Sequence, residues 1–386
     1  MSWFDEYIAV CEHDNTSPLY KRFAAVFTLA AAVQRRCYVM SLNDRIYLNL
    51  FILLVGPSAA GKGVAMKTPQ KLLSKLDQHY IAPASVTTAS MVDELEDALV
   101  TFIPSTGAPI QFNPLTVIAR EFGVFLPAYD PQMMNVLQDL FDNFGYEERR
   151  RGKGKKVTIE KAMLNLMGGC TPAYLANTLP EGAWAEGLMS RMITVYSGPM
   201  PFRDIVEEIA VTTSIDACRK QLERLTLRSG RIEWTTPALQ RLNAWNRGGR
   251  KPFSPHPKLV TYESRRNYNA MKISALSAIA NDRGKILEED LDFALNLLFA
   301  AEEMMPESFK AMRNGGEAEV VKELLHFMRL KYTKTGKGVS RHVIMQFLID
   351  KLPSWRIEPL LNTLQAGKWI SAEVGGTFIP RRLEQD

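Results

Sequence analysis

The stretch "LLVGPSAAGKGVAMK", Leu53 to Lys67, sets Gly56, Gly61 and Lys62 at the spacing G-x-x-x-x-G-K. Such residues can hold a phosphate chain. Glycines let successive backbone amides converge on an anion, the N-terminus of a following helix adds positive potential, and a lysine reaches the terminal phosphates. The expected contact residues are Gly56, Pro57, Ser58, Ala59, Ala60, Gly61, Lys62, Gly63 and Val64. Gly63 stands where a serine or threonine ordinarily ligates magnesium, so nucleotide binding and nucleotide hydrolysis separate as questions.

Hydrolysis needs a carboxylate to activate water. In "LTVIAREF", Glu121 follows an apolar run and suits that role, the plain alternative being a solvated residue at a strand end. Arg120 occupies the place where an aspartate would usually hold the metal's water shell, and Asp130, Asp139 and Asp142 are the alternative sources of that group. "MLNLMGGCTP" offers Asn165 and Thr171 as sensors of the terminal phosphate; Thr171 suits a strand end better, or it is simply a turn residue before Pro172. Arg191, in "EGLMSRMITVYS", precedes another apolar run and can reach a neighbouring subunit's nucleotide or remain a surface arginine. Arg265 and Arg266 are further sensor candidates.

Basic charge is concentrated in "GYEERRRGKGKKVTIEK". Arg149, Arg150, Arg151, Lys153, Lys155 and Lys156, spaced by Gly152 and Gly154, can follow a phosphate backbone, with Tyr146 available for stacking. The same run also reads as a solvated loop.

These residues need elements to hold them. The 386 residues, 46% hydrophobic and 23% charged, are enough for several structural units and a sizeable core. The net charge of +5 permits a nucleic-acid partner without requiring one. Residues 1–45 read as a helical segment, 46–204 as alternating strand and helix, 205–314 as helical, and 315–386 as three helices with a Gly-Gly hairpin, the order of a winged helix. The apolar run Ile46–Val55 predicts one buried strand, Pro114–Leu126 another, and "MKTPQKLLSKLDQHY" a helix interrupted near Pro69. The fold class expected is α/β with a mostly parallel sheet.

"FAAVFTLAAAV" is far short of the roughly 20 residues a bilayer span needs and reads as a buried helix. Cys11, Cys37, Cys170 and Cys218 lie far apart, and the five histidines make no metal-ligand spacing with them, which predicts reduced thiols, no structural zinc and a cytoplasmic protein.

In order, "SPLYKRFAAVFTLAAAV", "LNLFILLVGPSAAGKG", "ASVTTASMVDELEDAL", "VIAREFGVFL", "LNLMGGCTPAYL" and "EGLMSRMITVYSG" resemble the ATPase module of phage and mobile-element replication proteins. That group is related to poxvirus-type primase-helicases and, more distantly, to superfamily-3 and MCM helicases of the AAA+ class. The resemblance covers roughly residues 18–200, with an echo of a helical lid in "KISALSAIANDRGKILEEDLDFAL".

It implies a P-loop NTPase core and a ring oligomer, commonly a hexamer, that uses ATP and Mg2+ to move on single-stranded DNA in a bacterial host cell. Lys62 and Glu121 would act in cis and Arg191 in trans, and the basic run would be a hairpin in the central pore. No primase half is recognisable, so priming would come from another protein. In the winged-helix unit Arg356, Asn362 and Gln365, with Arg381 and Arg382, could meet DNA, or the unit docks protein. Trp355 and Trp369 read as core residues. Gly63 and Arg120 depart from the family pattern and favour an alternative, an ATP-binding initiator or loader with little turnover. A small-molecule kinase of the guanylate-kinase kind shares "GPSxAGK" but leaves the lid, winged helix and basic insertion unexplained.

Overall fold

Ser2 starts the first helix, α1 (Trp3–Val10), by exchanging hydrogen bonds with Asp5. Ser17 caps the second, α2 (Pro18–Val33), with Pro18 in the first turn, where an N–H has no helical partner to lose. Every residue from Phe23 to Val33 is buried, so the apolar run is a core helix. Among the described residues no helix is long and apolar enough to cross a membrane. The computed structural model describes residues 2–104, 107–126, 130–149, 156–178, 187–200, 214–252, 259–314, 317–349, 351–352, 354–373 and 376–381. The chain divides into two compact units, Met1–Phe309 and Lys310–Asp386.

The run Ile46–Val55, expected as one strand, is divided between two sheets. β1 (Cys37–Ser41) pairs antiparallel with β2 (Asp44–Tyr47), and β3 (Phe51–Val55) enters the central sheet. Asn49 interrupts the ladder: its side-chain amide donates to the Phe141 carbonyl at 2.8 Å, and its own carbonyl accepts from Lys272 Nζ at 2.8 Å. All five residues of β3 are buried.

The helix after the glycine turn is broken as well. α3 (Lys62–Ala65) is a single turn, and α4 (Lys67–Leu73) restarts beyond Met66, ending short of the Tyr80 expected. Pro69 explains the break, because its ring collides with a helical carbonyl four residues back, that of Ala65. Ile81 then makes a parallel bridge to Thr116. α5 (Thr88–Asp97) is capped by Thr87. β4 (Val100–Phe102) runs antiparallel to β5 (Ile110–Ala119), which stops seven residues before Leu126 because Phe122–Phe125 forms a helical turn, α6, that buries both phenylalanines.

α7 (Pro131–Phe141) starts on an Asp130 cap. Next come the hairpin of β6 (Tyr146–Arg149) and β7 (Lys156–Ile159), the fully buried β8 (Ala162–Cys170), α8 (Pro172–Thr178), α9 (Gly187–Arg191) and β9 (Met192–Tyr196). The central sheet has the order β4-β5-β8-β3-β9, with β5, β8, β3 and β9 parallel and β4 antiparallel at the edge. β8 thus lies beside β3. A parallel sheet opens its ligand-binding crevice at the carboxyl ends of its strands, and the glycine turn follows the carboxyl end of β3.

Helices Ile215–Thr226, Thr236–Arg247 and Arg266–Ala280 belong to the same unit as the sheet. Trp3 Nε1 donates to the Cys218 carbonyl at 3.0 Å, and Arg36 to that of Thr226 at 3.0 Å. In the second unit, helices Glu317–Thr335, Arg341–Ile349 and Ser354–Ala366 are joined by an antiparallel sheet in which Thr377–Pro380 lies between Val339–Ser340 and Ile370–Ala372. Leu324, Met328, Ile344, Leu348, Ile357 and Leu361 fill its core.

Candidate functional site

The glycine turn is shaped by what surrounds it. A side chain at Gly56 would come within 2.5 Å of the Ser197 carbonyl and 2.7 Å of Tyr20 Oη, so none fits. Tyr20 donates to the Val55 carbonyl at 2.6 Å and fixes the end of β3. Gly61 has φ +75°, and a Cβ there would meet the Asn15 carbonyl at 2.6 Å and Thr16 Cα at 2.8 Å. Conformation and space both require glycine at this position. Thr16 closes the contact by donating from Oγ1 to the Gly61 carbonyl at 2.9 Å. Gly63 is different, since a Cβ there has nothing within 4 Å.

Ala59 takes φ +63° without the freedom of a glycine. Backbone held in the left-handed region stores strain of about 1–3 kcal/mol and concentrates where function needs it. The Lys62 ammonium donates to the carbonyls of Gly56 at 2.8 Å and Pro57 at 2.7 Å. It is therefore folded against the turn. Partial burial lowers its pKa below the ordinary lysine value, while Cys170 and the Glu121 carboxylate pull it upward.

A cavity of about 570 Å³ opens over this turn. It is lined by Ser58 to Val64 together with Asn15, Lys67, Arg120, Glu121 and Thr171. Three separate strands deliver those groups: β3 leads into the turn, Arg120 and Glu121 follow β5, and Thr171 follows β8. Glu121 and Arg120 are both exposed. Arg120 Nη2 donates to Gln70 Oε1 on α4 at 2.8 Å. Thr171 Oγ1 accepts from the Tyr174 amide at 3.2 Å, so it caps α8 as well as facing the cavity.

Other candidates lie elsewhere. Asn165 is buried, and its Oδ1 accepts from the Leu50 amide at 2.9 Å, next to the start of β3 and away from the cavity. Arg191 immediately precedes β9, at the amino-terminal edge of the sheet, where it forms an ion pair with Asp142 and donates to the Gly187 carbonyl at 2.7 Å. Arg265 shares Asp142 at 2.9 Å. Arg266 is buried against Glu302, whose carboxylate also accepts from Tyr262 at 3.0 Å. Of the acids considered for a metal, Asp130 caps α7 and Asp142 is held by the two arginines, and neither lines the cavity, nor does Asp139.

Lys272 sits behind Asp142, donating to both oxygens of Asn49 and lying 4.1 Å from the centre of the Phe141 ring. Burial pushes its pKa down to about 7; Asp142 raises it, and Arg265 and Arg191 lower it.

In the basic hairpin, Tyr146 pairs with Ile159 and Arg149 with Lys156, and Lys156 forms an ion pair with Glu147 at 3.1 Å. Arg150, Arg151, Lys153 and Lys155 lie outside the described residues, as does Arg382. Trp369 is 40% exposed, which removes it from the core expected for it. All four cysteines are buried and free.

Asn15, Thr16, Tyr20 and Lys67 are the cavity and turn residues that the sequence did not single out. "DNTSP" before α2 carries a turn signal but no sign of contact with residue 61; Lys67 lies within the quoted glycine stretch. No protein-family model matches the chain, and no curated protein matches it either.

Proposed function

We propose that this chain is an ATP-dependent helicase or translocase of the phage or mobile-element replication type, working as a ring oligomer on single-stranded DNA. The observation that supports this reading is the convergence of Lys62, Glu121 and Thr171 on one cavity above a parallel sheet. Lys62 would grip the terminal phosphates, Glu121 would orient water, and Thr171 would register the terminal phosphate. Arg191, at the opposite edge of the sheet, would have to leave its ion pair with Asp142 to reach a neighbouring subunit's nucleotide. The β6–β7 hairpin, with Tyr146, Arg149 and Lys156, is the DNA-contacting element, and the C-terminal unit is read as a winged helix.

A second reading, an ATP-gated initiator or loader with little turnover, is favoured by Arg120 in the cavity and by the missing hydroxyl at Gly63. Steady-state ATP hydrolysis with and without single-stranded DNA, run alongside mass measurement of the assembly, separates the two. The helicase reading expects a ring and DNA-stimulated turnover that Lys62→Ala abolishes. A ring without turnover supports the gate. Neutralising Arg149 and Lys156 should lower single-strand affinity and flatten its salt dependence; unchanged affinity and slope would remove the hairpin from the DNA path.

A further inference from the structure

The cavity over the glycine turn holds an uneven set of charges. Lys62, Lys67 and Arg120 line it, against the single carboxylate of Glu121. A magnesium ion in a phosphate site is ordinarily held through one or two carboxylates, a loop hydroxyl and the phosphates themselves. Here the hydroxyl position is Gly63, although the open space beside it would admit one. The aspartate position is Arg120, and the acids that might replace it are absent from the lining. The two positions that usually hold magnesium are thus a glycine and a cation, and Glu121 is the one carboxylate left in the lining.

The cations, in contrast, are positioned. Gln70 Oε1 holds the Arg120 guanidinium at the cavity edge at 2.8 Å. Lys67 opens α4, directly after the break caused by Pro69, and so stays beside the turn rather than continuing around the helix of α3. With α3 a single turn long, side chains and not a helix end provide the positive charge. An arginine can bind a phosphate through two parallel N–H donors, and a lysine acts as a point charge.

We propose that this cavity takes its nucleoside triphosphate as the metal-free anion, with Lys67 and Arg120 supplying the positive charge that a magnesium ion brings elsewhere. The inference rests on the nucleotide-binding part of the proposed function, which the motor and the gate share.

Equilibrium binding of methylanthraniloyl-ATP, measured once with excess magnesium and once with EDTA, tests it. The two affinities should agree within about threefold, because each charge-assisted contact comes from the protein. Lys67→Gln and Arg120→Gln should each weaken binding roughly tenfold in both buffers, with unchanged melting temperatures. The double change Gly63→Thr with Arg120→Asp should make binding depend on magnesium. Wild-type affinity that falls tenfold or more in EDTA overturns the inference and leaves nucleotide binding standing. Absence of binding in both buffers overturns the nucleotide reading itself, and the inference with it.

Discussion

At the amino-terminal edge of the central sheet, Arg191 and Arg265 share the carboxylate of Asp142, whereas at the carboxyl-terminal edge Lys62, Lys67 and Arg120 face one cavity with only Glu121 for an acid. At the first edge both guanidinium groups are tied to a carboxylate by ion pairs, and Lys272 behind them donates to both oxygens of Asn49. At the second, Lys62 and Arg120 donate to neutral oxygens, those of Gly56, Pro57 and Gln70, beside a backbone at positive φ at Ala59. The first arrangement serves cohesion, and the second leaves its cations facing a cavity. An arginine's role is thus decided by the acid beside it, which residue type alone does not reveal.

Removing that acid is the harshest test of the contrast. Asp142→Ala should lower unfolding free energy by roughly 2 kcal/mol, because the buried Arg191 and the part-buried Arg265 lose their shared carboxylate. Urea denaturation reads the loss, and nucleotide affinity at the opposite edge should not change. Equal losses at both edges would dissolve the distinction.

The pH response of Lys272 sharpens it. Its pKa in the fold, about 7, lies below the ordinary lysine value of 10.5. Below pH 7 both folded and unfolded chains carry the proton, and the full penalty of a buried charge is present. Between those two values the unfolded chain binds more protons, so stability rises with pH, on the order of 1 kcal/mol per unit. Lys272→Met should remove that rise; an identical slope in both proteins would mean that Lys272 keeps its proton in the fold.

The smallest change concerns strain. Ala59→Gly should stabilise by about 0.5–1 kcal/mol, the relief at positive φ being partly offset by glycine's greater freedom when unfolded. Thermal melting checks the sign, and a loss of stability would show that the Ala59 backbone is unstrained.

Much of this was legible in the sequence where a local pattern carries the physics. The glycine turn, the buried α2 and the alternation of strand and helix follow from spacing and hydropathy, whereas Glu121 and Thr171 share a cavity with Lys62 because the sheet sets β8 between β5 and β3. Patterns failed where a distant partner decides. Asn49 ends the Ile46–Val55 run because Phe141 and Lys272 claim its polar atoms, and nothing near residue 49 announces either. Asn165 and Thr171 lie six residues apart on and just after the same strand, and only the register of the sheet sends one to each edge. Pro69 did announce a break, but the break falls near the carbonyl it would strike, three residues before the proline itself.

The hydrogen bond from Thr16 to Gly61 spans 45 residues of chain. Its effect is that the glycine turn is completed by residues encoded well upstream of the strand that bears it. A truncated gene opening at β3 would keep every letter of "GPSAAGKG" and lose the segment against which Gly61 is moulded. The smallest piece able to present this turn therefore starts before Asn15, and a shift of α1 or α2 would be felt first at the lysine that follows the turn.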